Sequence, residues 1–186
     1  RHRVTNPSKI LGYLRESVIE ALSQNDPDHL HKDGLDIALC VLNRKQNVLE
    51  FAGAGIPLWL VADSNASELG ALSSSKPIVG NQHSLFEIKG NIFPVGLSPR
   101  METFTLHSIP LSKKSMSVYL ATDGFADQLG EKSKGKFGGL KLKSFILQNA
   151  QIDFSEQKSK LSDAFDNWKG IGFQVDDTTV LGIKIS

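Results

Sequence analysis

The order of helical and strand-forming segments predicts an α+β sandwich for this chain of 186 residues. Apolar residues recur at helical spacing near the start and again near the end of the chain. The middle consists of short runs rich in Val, Leu and aromatic residues, separated by polar turns. The first two runs are joined by the five residues 43–47, a length that favours an antiparallel hairpin. Helices grouped around hairpin-linked strands are typical of α+β folds, because parallel βαβ folds alternate the two element types.

The first helix is predicted over residues 7–24, where four apolar residues are spaced four apart: Ile10, Leu14, Val18 and Leu22. Asn6 is suited to cap its N-terminus and Pro7 suits its first turn, while Asp26 and Pro27 are expected to end it. Two further helices are predicted over residues 140–150 and 155–169, and Gly170 is expected to cap the second.

About seven strands are predicted between and after these helices, over residues 35–42, 48–52, 57–62, 84–88, 104–109, 117–122 and 179–185. Residues 64–75 are rich in Ser, Ala and Gly and are interpreted as a loop. Because strands continue on both sides of this loop, it does not indicate a boundary between domains. Residues 1–186 are therefore predicted to form a single domain, which agrees with the usual domain size.

Composition excludes several classes of protein. Hydrophobic residues make up 40% and charged residues 22% of the chain, as in ordinary globular domains. The net charge of +1 gives no attraction toward nucleic acid, and the longest apolar runs, six and seven residues, are too short to cross a membrane. The single cysteine, Cys40, cannot form an intrachain disulfide, which favours a reducing, cytoplasmic setting.

The first candidate site is the segment SVYLATDGFADQ, residues 117–128, where an apolar strand ends in Thr122, Asp123 and Gly124. An acid at the end of a buried strand is held rigidly. A glycine after it permits backbone conformations that are closed to other residues, which would let the carboxylate face an ion or a phosphate. The alternative interpretation is an Asp-Gly turn that only reverses the chain.

The second candidate site is QVDDTTV, residues 174–180, in which Asp176 and Asp177 precede the last strand. Adjacent carboxylates repel each other unless a cation neutralises them, and Mg²⁺ and Mn²⁺ prefer such oxygen ligands. A solvated turn is the alternative.

Two further segments have a distinctive composition, one with two glycines and one rich in lysine. Residues 52–58 contain two glycines after a strand, which favours tight packing at a strand junction over ligand binding. Residues 131–143 hold five lysines and one acid, so this segment either attracts an acidic or phosphorylated partner or forms a solvated loop.

Four segments in order, residues 33–43, 49–61, 118–130 and 174–185, resemble the bacterial SpoIIE-type serine phosphatases of the metal-dependent protein phosphatase (PPM) superfamily. The most specific part is a "TDG" after one strand and a "DD.T" before the last strand. The resemblance implies an α-β-β-α sandwich of two antiparallel sheets flanked by helices. It also implies hydrolysis of phosphoserine or phosphothreonine by a water held between two Mn²⁺ or Mg²⁺ ions, without a covalent intermediate.

Carried over by motif, Asp123 and Asp176 match metal ligands of the family, and both would bind the same ion. Gly124 matches a supporting position that allows a close approach, Asp177 matches another supporting position, and Asp36 is expected near the site. The expected partner is a phosphoprotein substrate, such as an anti-sigma-factor antagonist in a bacterial signalling circuit.

One motif of the family does not occur in these 186 residues: the "GD..G.G" segment whose Asp bridges the two metals. We therefore expect an N-terminally incomplete domain, and we expect it to self-associate through exposed strand edges. Two functions stay open. One is a serine phosphatase domain, and the other is a catalytically inactive remnant or fragment that binds a phosphoprotein or assembles with another chain. The residues upstream of Arg1 would discriminate between them.

Overall fold

The computed structural model describes residues 4–24, 33–111, 115–133 and 135–185. The chain divides into two compact units, one formed by Arg1–Leu58 with Ile88–Lys113 and the other by Trp59–Glu87 with Lys114–Ser186. Within the described residues, the first unit contains an antiparallel sheet and one helix and the second contains an antiparallel sheet and four helices, so the prediction of two antiparallel sheets flanked by helices is confirmed. The assignment of residues 1–186 to a single domain stays a prediction.

The first unit contains helix α1 (Pro7–Ala21) and a sheet of three strands in the order β1-β2-β6: β1 (Ile37–Asn43), β2 (Val48–Ala54) and β6 (His107–Pro110). The β1–β2 pair is the predicted hairpin, with Asn43 opposite Val48. The apolar stripe of α1 packs on this unit's core, whose buried members include Leu11, Ala52, Phe93 and Phe104.

The ends of α1 follow from the local sequence. The Asn6 side chain accepts a hydrogen bond from the Lys9 amide at 3.0 Å, so the predicted N-cap is confirmed. The helix ends at Ala21, three residues before the predicted end at Gln24. Gln24 is buried instead and donates its side-chain amide to the Asp33 carbonyl. The predicted stop at Asp26 and Pro27 lies outside the described residues.

The second unit contains a sheet of five strands in the order β4-β5-β3-β7-β8. These strands are β3 (Leu58–Asp63), β4 (Ile78–Val79), β5 (His83–Ile88), β7 (Met116–Ala121) and β8 (Val180–Ile185). The helices of this unit are α2 (Ser67–Leu72), α3 (Gly124–Asp127), α4 (Gly139–Gln148) and α5 (Phe154–Lys169). The predicted cap at Gly170 is confirmed, with a positive φ of 59°.

The core of the second unit is rich in aromatic residues. Phe125 makes edge-on contacts with Phe137 and Phe165 at ring-centroid distances of 5.0 and 5.1 Å. The buried Tyr119 hydroxyl donates a hydrogen bond to the side chain of Gln157 on α5 at 2.8 Å. These contacts hold α3 and α5 against β7, the strand that leads into the first candidate site.

Two sequence predictions are corrected by the structure, and two short elements were missed. Residues 64–75 are not all loop, because α2 forms around the buried Leu69. The strand predicted from Phe104 begins only at His107, since the Thr105 amide bonds the Asn91 side chain instead of a neighbouring strand. The short strand β4 and the one-turn helix α3 were not predicted, because two and four residues are too few to show a periodic pattern.

The tight packing predicted for residues 52–58 is present in the structure. A side-chain carbon at Gly53 would overlap the Ile56 carbonyl oxygen and would lie 3.1 Å from the Cα of Gly90, so the glycine lets backbone segments of the first unit touch. Burial raises the pKa of the Cys40 thiol on β1 to about 11, which keeps it protonated at neutral pH.

Within the described residues, no helix has the length and apolar character needed to span a bilayer.

Candidate metal-binding site

The first half of the candidate site is the turn that follows β7. The strand ends at Ala121, and Asp123 stands immediately before α3 with its side chain exposed. The next residues, Gly124 and Phe125, are buried, and Phe125 lies in the aromatic core. The Asp123 carbonyl accepts a hydrogen bond from the Asp127 amide at 2.8 Å, which closes the turn. The buried residues Gly124 and Phe125 therefore give the exposed Asp123 carboxylate a rigid support.

The second half is the loop that leads into β8, which carries Asp176 and Asp177, both exposed. The Asp177 amide donates to the Asp176 side chain at 2.7 Å, and the Gln174 side-chain amide donates to the Asp176 carbonyl at 2.9 Å. The first of these bonds orients the Asp176 carboxylate. Two neighbouring carboxylates are thus held on an ordered backbone at the protein surface.

Strand register brings the two halves together. β7 and β8 pair antiparallel, and the ladder places Ala121, the last residue of β7, opposite Val180, the first of β8. Thr122 extends this pairing by one step: its amide donates to the Thr179 carbonyl at 3.0 Å, and its hydroxyl accepts from the Thr179 amide at 3.0 Å. The same hydroxyl lies 3.2 Å from the Asp177 carbonyl. The residues after β7 and those before β8 therefore lie side by side.

Gly124 is the point of closest contact between the halves. A Cβ atom at this position would overlap the carbonyl oxygen of Asp177 and would lie 3.2 Å from the Thr178 hydroxyl. The explanation from the local residues, a backbone conformation closed to other residues, is wrong, whereas the close approach that the family resemblance implied is present. The glycines with positive φ in the described part of the chain are Gly55, Gly138 and Gly170. Gly124 is required because two backbones touch there.

Gln128 supports the second loop and was not among the predicted site residues. Its side chain is fully buried, donates to the Phe173 carbonyl at 2.9 Å and accepts from the Val175 amide at 3.1 Å. Its own carbonyl accepts from the Trp168 indole at 2.9 Å. The sequence signal was its place at the end of TDGFADQ, but nothing local indicated that its partners lie more than forty residues away.

Replacing Gln128 with leucine is expected to lower the free energy of unfolding by about 1–2 kcal/mol, because the backbone partners at Phe173 and Val175 lose their hydrogen bonds. Urea denaturation measures this change. Gln148→Leu is the matched control, since Gln148 is exposed at the end of α4 and its loss is expected to cost less than about 0.5 kcal/mol. Equal denaturation midpoints for the two variants would contradict the supporting role of Gln128.

Asp36 belongs to the other compact unit, just before β1. Its carboxyl group lies against Gly55, whose φ of +73° and lack of a side chain leave room for it. Its predicted position near the metal stays a prediction.

The side chains of Asp123, Asp176 and Asp177 offer only oxygen ligands, which is the ligand type that hard divalent cations prefer. The described residues bring together no group of three or more His, Cys, Asp or Glu side chains around one point. The binding of a metal ion by Asp123 and Asp176 stays a prediction.

The fold is of the PP2C-like class of phosphatase domains. The SiaA-PP2C domain of Pseudomonas aeruginosa matches with a TM-score of 0.74 and 24% sequence identity over 97% of this chain. This chain spans 61% of the length of that domain. The phosphatase domain of the cell-fate determinant SpoIIE from Bacillus subtilis matches with a TM-score of 0.54 and 15% identity, over 100% of this chain and 76% of that one. The predicted PPM-like fold is confirmed.

The sequence model of the family described as Stage II sporulation protein E (SpoIIE) matches residues 2–186. The chain therefore belongs to the SpoIIE family, as its motifs predicted. A structure of the Bacillus subtilis SpoIIE phosphatase domain presoaked with Mn also matches, with a TM-score of 0.55 and 14% identity, over 100% of this chain and 76% of that one. No curated protein sequence matches this chain significantly.

Proposed function

We propose that this chain forms part of a metal-dependent protein phosphatase domain that hydrolyses phosphoserine or phosphothreonine. The observation that carries the proposal is the pairing of β7 with β8, which brings Gly124, next to Asp123, against the carbonyl of Asp177, next to Asp176. Membership of the SpoIIE family supports it, because the two aspartate motifs occur in the order typical of that family.

In this proposal Asp123 and Asp176 hold Mn²⁺ or Mg²⁺ through their carboxylate oxygens. When bound, two such ions supply an activated water and neutralise charge on the phosphate during in-line displacement. The Asp177 amide orients the Asp176 carboxylate through its hydrogen bond at 2.7 Å. Thr122 keeps the two loops in register, and Gly124 allows their close contact.

The substrate is a phosphoprotein, and the family resemblance favours an anti-sigma-factor antagonist of a bacterial signalling circuit in the cytoplasm. A phosphoserine on such a protein reaches the site without an induced opening, because the three aspartates are exposed. This accessibility agrees with a substrate as large as a protein.

The test measures p-nitrophenyl phosphate hydrolysis and phosphate release from a phosphoserine peptide by the full-length protein, with Mn²⁺, after EDTA treatment and after Mn²⁺ is restored. We expect EDTA to lower both rates by at least about a hundredfold and restored Mn²⁺ to recover them. Turnover that is insensitive to EDTA would contradict the metal role. Folded protein that is inactive with saturating Mn²⁺ would favour the binding or assembly module.

A further inference from the structure

The loop of residues 170–175, here called the apolar loop, presents three apolar side chains to solvent directly before Asp176. Ile171 is 94% exposed, Phe173 is 93% exposed and Val175 is 56% exposed. A single exposed apolar residue needs no explanation, but three at alternating positions of one loop form a patch. Such patches on ordered segments mark binding surfaces.

The backbone of the apolar loop is ordered by buried and charged partners. Gln128 bonds the Phe173 carbonyl and the Val175 amide, while the Glu131 carboxylate accepts from the Ile171 amide at 3.4 Å. Gly170 contributes a positive φ and leaves room for Glu131, whose carboxylate a side chain there would overlap. The loop therefore holds its apolar side chains outward instead of folding them onto the core.

A basic turn lies beside the apolar loop. Residues 129–136, apart from residue 134, form a turn closed by a bridge between Leu129 and Lys136. The Glu131 amide bonds the Trp168 carbonyl at 3.2 Å, so this turn abuts the start of the apolar loop. Lys132 is exposed on the turn, and Lys136 is 61% exposed. Lys141 stacks over the Trp168 ring at 3.8 Å and adds a third positive charge.

We propose that the apolar loop and the basic turn together bind the segment of the phosphoprotein substrate that flanks its phosphoserine. The geometry selects a segment with an apolar side chain, which covers Phe173, and with acidic side chains, which face Lys132 and Lys141. The apolar loop continues directly into Asp176, so a chain bound there reaches the candidate metal site. This inference rests on the proposed function, because it identifies the substrate of the same site.

The test measures binding by fluorescence anisotropy, with a labelled phosphoserine peptide that carries phenylalanine and glutamate beside the phosphoserine. A matched peptide has serine in place of phenylalanine. Both are titrated with the full-length protein and with its Phe173→Ser and Ile171→Ser variants. Because both side chains are almost fully exposed, neither substitution is expected to disturb folding. Val79→Ser is the control, since Val79 is 74% exposed on β4, at the opposite edge of the sheet from β8.

We expect Phe173→Ser to raise the Kd for the phenylalanine peptide about tenfold, the effect of losing one buried aromatic contact. We also expect Val79→Ser to leave that Kd unchanged and the serine peptide to bind wild type and Phe173→Ser equally weakly. Added salt should weaken binding by all the proteins, because the lysines contribute. An unchanged Kd in both loop variants, or no binding by the wild type, would overturn the inference.

Hydrolysis of p-nitrophenyl phosphate separates this inference from the proposed function. This small substrate has no flanking segment, so Phe173→Ser is expected to hydrolyse it at the wild-type rate. If the wild type binds the peptide through Phe173 but hydrolyses neither compound, the phosphatase proposal fails while the binding surface stands. If hydrolysis is normal and the loop variants bind as the wild type does, the binding surface fails alone.

Discussion

Asp123→Asn is expected to lower kcat/KM for Mn²⁺-dependent hydrolysis of p-nitrophenyl phosphate by more than about a hundredfold. Asparagine has nearly the shape of aspartate but no charge, so it attracts a divalent cation far less strongly. The fold should be unaffected, because the Asp123 side chain is exposed and makes no capping bond to α3. The bond that closes the turn uses the backbone carbonyl instead.

Asp127→Asn is the matched control for Asp123→Asn, since it removes a carboxylate from the same one-turn helix. Asp127 pairs with Lys136 at 2.8 Å, and the Asp127 and Lys136 side chains are 43% and 61% exposed, so the pair contributes less than about 1 kcal/mol. This variant is expected to keep activity close to that of the wild type. If both variants lose activity equally, the loss of activity results from a disturbed turn, and the specific metal role proposed for Asp123 is wrong.

Gly124→Ala is expected to lower the free energy of unfolding by about 3 kcal/mol, at the upper end of the usual cost of overpacking. The new methyl group would overlap the Asp177 carbonyl oxygen. Neither side can move away easily, because the β7–β8 ladder and the Thr122 hydrogen bonds hold both backbones. We expect activity to fall as well, since relief of the overlap separates Asp123 from Asp176. Urea denaturation followed by circular dichroism measures the stability.

Gly12→Ala is the control for Gly124→Ala, because it is expected to raise the free energy of unfolding instead of lowering it. Gly12 lies within α1, and a Cβ atom there would meet no atom within 4 Å. Alanine is expected to stabilise the helix by about 0.5–1 kcal/mol relative to glycine. A Gly124→Ala variant with an unchanged or raised denaturation midpoint would show that the contact with Asp177 does not constrain this residue.

Local features of the fold were predictable because their causes are local. The apolar spacing and the Asn6 cap predicted α1, and the short connection over residues 43–47 predicted the β1–β2 hairpin. Helix α2 was missed because Ser, Ala and Gly favour a loop by composition, whereas burial of Leu69 stabilises the helix. The strand expected from Phe104 starts late because a distant side chain, Asn91, takes the Thr105 amide.

The candidate site also has features that the local sequence predicts and features that depend on distant residues. Its aspartates were predictable because each motif borders a strand that the local pattern indicates. The role of Gln128 and the contact partner of Gly124 were not predictable, since both depend on residues about fifty positions away in the chain. A glutamine at the end of a short motif carries no local sign that it is buried, and a glycine carries no sign of which backbone will touch it.

The local sequence pattern was enough to place the end of β7 and the start of β8 to within one residue, with Asp123 just after the first strand and Asp176 shortly before the second. Only the tertiary structure decided that these two strands are neighbours, in the register that sets Ala121 opposite Val180. The physical reason is that the apolar pattern specifies which face of a strand is buried but not which distant strand completes its hydrogen bonds. That choice depends on how the intervening helices α4 and α5 pack on the shared aromatic core.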